Sequence, residues 1–262
     1  MFPDLLRVGP LTIKSYGACM ALAFLLVVWL ARRAATGSLR GLVPMDGPAL
    51  ADWAVWALAG GILGGRLLYV ITHWEIYAAH PLELLAIWEG GLIWYGGFAG
   101  GLLGTWLFLR RRGYGFLQGV DQVIPFGAFG HAIGRIGCFL NGCCYGKPTS
   151  SWCGVWMPNI EQRVIPTQLI ESAGLVVLYV VLRRLQTPQR LRRPGSLFGA
   201  YLIGYSLLRW VIEWWRADQP MVWPGMTVQQ LISLACFLVG IRLWFARLPA
   251  DGSDLSLPRR PS

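Results

Sequence analysis

The chain has 262 residues, 55% of them hydrophobic and only 14% charged, with a mean hydropathy of +0.49. A soluble domain carries nearer a quarter charged residues, so an ordinary soluble protein is excluded. The net charge of +10 would suit nucleic acid. However, the basic residues sit in short clusters between apolar runs, such as Arg32-Arg33, Arg110-Arg111-Arg112 and Arg183-Arg184, as cytoplasmic loops of a membrane protein do.

The head, Met1 to Lys14, is rich in apolar residues and has neither a basic n-region nor a clear cleavage site. The run from Ser15 therefore reads as a retained first span rather than a signal peptide. Apolar runs approaching the ~20 residues that cross a ~30 Å hydrocarbon core predict helices over 15–31, 52–72, 91–109, 120–140, 166–182, 197–215 and 227–246. The fourth is weak in hydropathy, because it holds Asp121, Pro125, His131, Arg135 and repeated glycines.

Charge counting arbitrates. With seven spans, fifteen basic residues fall on one side and five on the other, and Arg66, Arg135 and Arg209 lie within spans. If the fourth segment is a loop, the sides hold ten and eleven. Seven spans restore the positive-inside asymmetry, with the N-terminus outside and the C-terminus cytoplasmic. Tryptophans near span ends (Trp53, Trp74, Trp88, Trp152, Trp214, Trp215, Trp223) fit an interfacial aromatic belt. No linker or internal repeat divides the chain. The expectation is an all-α integral membrane protein with one polytopic domain over 1–248 and a polar, disordered tail over 249–262.

Ionisable groups within spans are costly and mark functional sites with a partner nearby. The first cluster is H-A-I-G-R-I-G-C-F-L-N-G-C-C-Y-G, residues 131–146. Gly127, Gly130, Gly134 and Gly137 recur every three or four residues and give a smooth face for another backbone. His131 and Arg135 lie four apart on a neighbouring face, and the helix is expected to end near Asn141-Gly142. A glycine-packed helix whose arginine pairs for structure alone is the plainer alternative.

The second cluster is Tyr205, Arg209, Glu213 and Arg216, whose offsets place them on one helical stripe. An i,i+4 ion pair accounts for Arg209 and Glu213 alone. Arg216 leaves excess positive charge, and arginine forks match phosphate oxygens. The third element, P-T-Q-L-I-E-S at 166–172, starts a helix at Pro166 and carries Gln168 and Glu171 to similar depth.

Other residues carry less. Arg66 reads as structural, His73 and His80 lack a ligand pattern, and Asp121 suits the N-terminus of the fourth helix through its dipole. Cys138, Cys143, Cys144 and Cys153 do not have the paired C-x2-C spacing of a structural zinc site, so no metal is expected. A disulfide at Cys153 is one reading, and a catalytic thiol a weaker one.

Residues 131–146 resemble the signature of the bacterial prolipoprotein diacylglyceryl transferases at Gly134, Arg135, Gly137, Phe139, Asn141, Gly142 and Gly146. S-Y-G near Tyr16, W-E-G-G-L-I-W-Y-G-G at 88–97, I-P-T-Q-L-I-E-S at 165–172 and G-A-Y-L-I-G-Y-S-L-L-R-W-V-I-E-W-W-R at 199–216 are similar to the family in the same order. The resemblance implies a seven-span protein of the bacterial inner membrane that uses no cofactor. Its partners would be phosphatidylglycerol, membrane lipid and prolipoprotein signal peptides bearing a lipobox cysteine, with no nucleic acid.

The reaction it implies is attack of that cysteine thiol on the glyceryl carbon of phosphatidylglycerol, leaving a thioether and glycerol 1-phosphate. By motif, Arg135 would bind the headgroup, Arg209 and Arg216 would steady the phosphate, and Glu213 would orient an arginine. Tyr16, Asn141, Gly146, Gln168, Glu171 and Tyr205 would line the polar pocket. Some members have histidine, a natural base for the thiol, where Tyr95 stands, so here Tyr95 serves otherwise, or the base is His131, Glu213 or water. Cys138 and Cys143 also replace the Asn and Glu of such members.

Among rivals, an organic-anion transporter would show repeats or broken helices in matching halves, and neither is present. A rhomboid-like protease would need G-x-S-G, and a quinone-linked thiol oxidoreductase C-x-x-C. The strongest rival is a different phosphatidylglycerol-using membrane transferase.

Overall fold

The computed structural model describes residues 4–8, 11–79, 83–84, 90–216, 221–223 and 225–246. His80, Trp88 and the tail 249–262 lie outside the described residues. Among the described residues, seven helices of 18 or more residues fall on the seven expected segments: α1 (Ser15–Thr36), α2 (Gly47–Thr72), α4 (Trp94–Arg111), α5 (Phe116–Asn141), α6 (Thr167–Leu185), α8 (Ser196–Glu213) and α9 (Val228–Phe245). Two short helices, α3 (Trp74–Ala79) and α7 (Pro188–Leu191), lie between them.

Four of the helices, α1, α2, α5 and α9, are long and apolar enough to cross a membrane. The chain is thus a mostly helical membrane protein. Leu25, Val55 and Leu63 are 65%, 66% and 70% exposed on these helices, as side chains turned to lipid would be. The doubtful fourth segment is one of the four.

The wholly helical expectation needs one amendment. Three antiparallel ribbons occupy the connections: β1 (Asp4–Val8) with β2 (Leu11–Lys14), β3 (Val155–Met157) with β4 (Gln162–Val164), and β5 (Met221–Trp223) with β6 (Met226–Thr227). At two to five residues they are too short to show a period-2 pattern. They pair backbone groups that the interhelical loops would otherwise leave open.

Backbone contacts sort the chain into two compact units, Met1–Ala31 with Val120–Ser256, and Arg32–Gly119. In the first, the glycine face of α5 receives α1. A Cβ on Gly130 would meet Val27 Cγ2 at 2.6 Å, and one on Gly137 would meet Cys19 Cβ at 2.9 Å. On another face of α5, Ala128 and Ala132 pack with Leu175, Leu178 and Leu182 of α6, and Tyr201, Tyr205 and Leu208 of α8 close the cluster. A capping box of Thr227 and Gln230 opens α9.

Asp121 differs from expectation. Because α5 begins at Phe116, Asp121 is interior to it and cannot serve that helix's N-terminus. Its carboxylate, 1% exposed, instead accepts from Gly195 N (2.7 Å) and Phe198 N (2.8 Å), at the start of α8. It is a cap supplied across helices, an anion on the positive end of the α8 dipole.

In the second unit, α2 and α4 interlock through glycines. A Cβ on Gly100 would lie 2.1 Å from Gly60 O, and one on Gly64 would lie 2.4 Å from Gly96 O. Arg66, 8% exposed, donates to the carbonyls of Glu83, Leu84 (3.0 Å) and Gly90 (2.9 Å), and its guanidinium lies 5.1 Å from the Tyr77 ring centroid. Its donors hold a loop, which agrees with the structural reading.

Candidate active site

The first unit gathers most of the charged and polar residues singled out in the sequence. Arg135 on α5 reaches Glu171 on α6, with Nη2 to Oε1 at 2.9 Å. The same oxygen accepts from the Tyr205 hydroxyl of α8 at 2.9 Å. Three helices thus meet on one carboxylate that is itself 1% exposed. One turn before Arg135, His131 Nδ1 lies 3.3 Å from the Tyr201 hydroxyl, and its ring packs on Tyr205 with centroids 5.0 Å apart. The shared face expected for His131 and Arg135 is real, and its partners are α6 and α8.

A second ion pair lies further along α8. Arg209 Nη2 is 2.6 Å from Glu213 Oε2, and Thr227 at the cap of α9 donates to Glu213 Oε1 at 2.7 Å. One carboxylate oxygen of Glu213 is thus engaged by the arginine and the other by the threonine.

The stripe expectation fails for Arg216. The helix ends at Glu213, so Arg216 lies beyond it, after the turn Trp214-Trp215. It is placed instead by a β-bridge to Gly146, supported by Lys147 N donating to Trp215 O at 2.7 Å. Gly146 N donates to Ile165 O on its other side at 2.9 Å, and a Cβ there would lie 2.7 Å from Trp215 O and 2.8 Å from Ile165 O. Only glycine lets the loop pass between those two backbones. The ends of 131–146, 165–172 and 199–216 therefore converge on this residue.

Gln168 donates to Cys143 O at 2.7 Å and Thr167 to Cys144 O at 2.9 Å, tying the start of α6 to the same loop. Tyr16 lies on α1, with its ring edge 3.4 Å from a Cβ built on Gly137. Asn141 is the exposed last residue of α5. Tyr95 belongs to the other unit, where it is 72% exposed and packs edge-on against Trp94.

Four buried polar atoms, Arg135 Nε, Arg209 Nη1, Gln168 Oε1 and Glu213 Oε2, have no hydrogen-bond partner among the described residues, and of these Glu213 Oε2 has the ion pair with Arg209. Leaving such a group unmatched costs about 1–3 kcal/mol, and more when it is charged. Two of the four are guanidinium donors, so a ligand that satisfies them is rich in acceptor oxygens, as a phosphate is.

A family model for prolipoprotein diacylglyceryl transferase matches residues 3–246. The chain belongs to that family. It is similar to the phosphatidylglycerol–prolipoprotein diacylglyceryl transferase of Synechococcus elongatus, at 38% identity over 271 residues covering 98% of this chain and 91% of that one. It is also similar to the enzymes of that name from Azoarcus sp. strain BH72 (35% over 253 residues, 92% and 93%) and Lactobacillus acidophilus (31% over 255 residues, 94% and 89%).

In this member of the diacylglyceryl transferase family the cysteines set aside on their spacing are closer together than that spacing suggests. The sulfurs of Cys138, Cys143 and Cys144 lie within 4.8 Å of one another. The signal was present: Asn141-Gly142 closes α5 with Gly142 at φ 73°, Gly142 N on Phe139 O and Cys143 N on Cys138 O, both at 3.1 Å. That is a Schellman motif, which brings the residues at C3 and C″ into contact, and both are cysteines here. Hydrogen bonds from Cys138 and Cys143 hold the Cys144 thiol below the ordinary cysteine value against its burial, and Arg216 and Arg135 act in the same direction. Cys153 is exposed and free, 3.3 Å from Ser151 Oγ, so the disulfide considered for it is not formed.

Proposed function

We propose that this protein transfers the diacylglyceryl group of phosphatidylglycerol to the lipobox cysteine of prolipoproteins, in the bacterial inner membrane. The observation that carries the reading is the pair of orphaned, buried guanidinium donors on Arg135 and Arg209 in a chain of this family. The thiol sulfur attacks the glyceryl carbon, the carbon–oxygen bond to phosphate breaks, and glycerol 1-phosphate leaves. Negative charge grows on the leaving oxygens, and donors that grip it more tightly in the transition state supply rate as well as affinity.

In this reading Arg135 binds the headgroup phosphate through Nε while Glu171 and Tyr205 fix its fork. Arg209, oriented by Glu213, and Arg216 steady the leaving group. Tyr16, Asn141 and Gln168 line the polar pocket, and Gly146 holds its loop in place. With both oxygens of Glu213 engaged, the base is His131 or water, and Tyr95 serves in another role. An ordinary thiol pKa of ~8.5 needs only modest depression near arginines. The seven long helices all span the membrane, with the N-terminus outside and the C-terminus cytoplasmic, as one domain over 1–248 followed by a disordered tail.

The test is mass spectrometry of a lipobox peptide incubated with the purified protein and phosphatidylglycerol. The expected result is a gain of one diacylglyceryl group on the cysteine with glycerol phosphate released. No gain under conditions where the Synechococcus elongatus relative is active would overturn the reading.

A further inference from the structure

The three-thiol cluster at the end of α5 is not used by the reaction proposed above. Its geometry is built from the backbone upward. The Schellman turn brings Cys138 and Cys143 together, and Cys144 takes φ 62°, a left-handed conformation uncommon for a residue with a side chain. That unfavourable backbone turns Cys144 to the same side, so that all three sulfurs fall within 4.8 Å. The carbonyls of Cys143 and Cys144 are pinned by Gln168 and Thr167. Strain of this kind persists where surroundings over-determine it, and it gathers at functional sites.

We infer that Cys138, Cys143 and Cys144 form a zinc site with three thiolate ligands and a fourth, open position. Zinc–sulfur bonds of about 2.3 Å in a tetrahedron set the sulfurs about 3.8 Å apart, so each pair closes by about 1 Å or less. Three protein ligands with one position left over is the arrangement of zinc sites that accept an exogenous ligand, whereas structural sites fill all four. Thiolates favour a soft cation over magnesium or calcium.

Charge agrees as well. Zinc with three thiolates carries one net negative charge, and Arg135 and Arg216 both act electrostatically on Cys144. A disulfide would use two of the sulfurs and leave the third without a role. The metal uses all three, and all three are free thiols.

The experiment takes the full-length protein, purified in detergent under reducing conditions from cells grown with zinc, and measures metal by elemental mass spectrometry. One zinc per chain is expected in the wild type and in Cys153→Ser and Cys236→Ser, with loss of most of it in Cys138→Ser and Cys144→Ser. Replacing zinc by Co2+ in the wild type reports the ligands without any substitution, because thiolate ligation gives an intense charge-transfer absorption. Less than a tenth of an equivalent of zinc after reconstitution would overturn the site. So would zinc retained by the triple serine variant, or a disulfide among the three cysteines in non-reduced peptides. Metal content is read without any turnover, so the site and the proposed reaction stand or fall separately.

Discussion

Replacing Arg135 by lysine asks whether its shape matters or only its charge. In Arg135 one nitrogen, Nη2, is committed to Glu171 at 2.9 Å, while the buried Nε is free to donate. An arginine can hold the carboxylate and a phosphate oxygen together because its donors are a rigid fork. A lysine ammonium is a point charge that faces one or the other. The variant keeps the net charge, so long-range attraction for an anionic lipid is unchanged. What it loses is one charge-assisted hydrogen bond, worth about 2 kcal/mol. If that bond strengthens in the transition state, kcat/KM falls about 30-fold, at 1.36 kcal/mol per factor of ten. The assay is initial-rate transfer from phosphatidylglycerol in mixed micelles to a lipobox peptide, with circular dichroism and gel filtration confirming the fold. Arg135→Ala, which removes the charge too, is expected to abolish activity in a protein that still folds. A lysine variant within twofold of wild type would refute the fork argument, and an active alanine variant would remove Arg135 from the chemistry altogether.

Tyr95→Phe is expected to lower kcat substantially if the hydroxyl takes part in proton transfer, and an unchanged rate assigns Tyr95 to packing. Asp121→Ala strands two backbone donors at the start of α8 and should cost about 3 kcal/mol of stability. Unfolding in detergent would show this, while the specific activity of the folded fraction stays at the wild-type level. Gly100→Val drives a side chain into Gly60 O and Gly64 Cα of α2 and should reduce folded yield, whereas Gly17→Ala, with nothing within 4 Å of the new carbon, should leave the yield unchanged.

The helices were legible because hydropathy and the sidedness of arginine are local properties. Charge counting placed a helix at 120–140 that composition alone left doubtful. The meeting of Arg135 and Glu171 was legible only as a shared depth, since hydropathy does not say which helices are neighbours. Two errors have the same root. Asp121 caps α8 and not its own helix, and Arg216 lies past the stripe, which stops at Glu213. A 3.6-residue period carries no information about where a helix ends or what lies across from it. Gly146 is the converse case, because its signature position was visible while its reason, two backbones about 2.8 Å from a would-be Cβ, exists only in the folded chain.

The helices outside the set of four apolar ones include α6 and α8, and these carry Glu171, Tyr205, Arg209 and Glu213. An isolated charge at the centre of a bilayer costs about 2.5–3.5 kcal/mol on insertion scales. Here each charge meets its opposite: Arg135 with Glu171 between helices, and Arg209 with Glu213 within one. Both pairs are formally neutral before any ligand arrives, so neither attracts an anion by net charge alone. What the pairs offer is direction: Nε of Arg135 and Nη1 of Arg209 are held in place by carboxylates and are denied other partners. A phosphate that leaves its hydration shell for such donors meets dipoles already oriented, the condition under which electrostatic stabilisation of a leaving group is most effective. If the proposed reaction is the right one, the carboxylates serve it by holding the guanidinium groups rigid, and the loss on going from arginine to lysine should appear mainly in kcat, with KM for phosphatidylglycerol little changed.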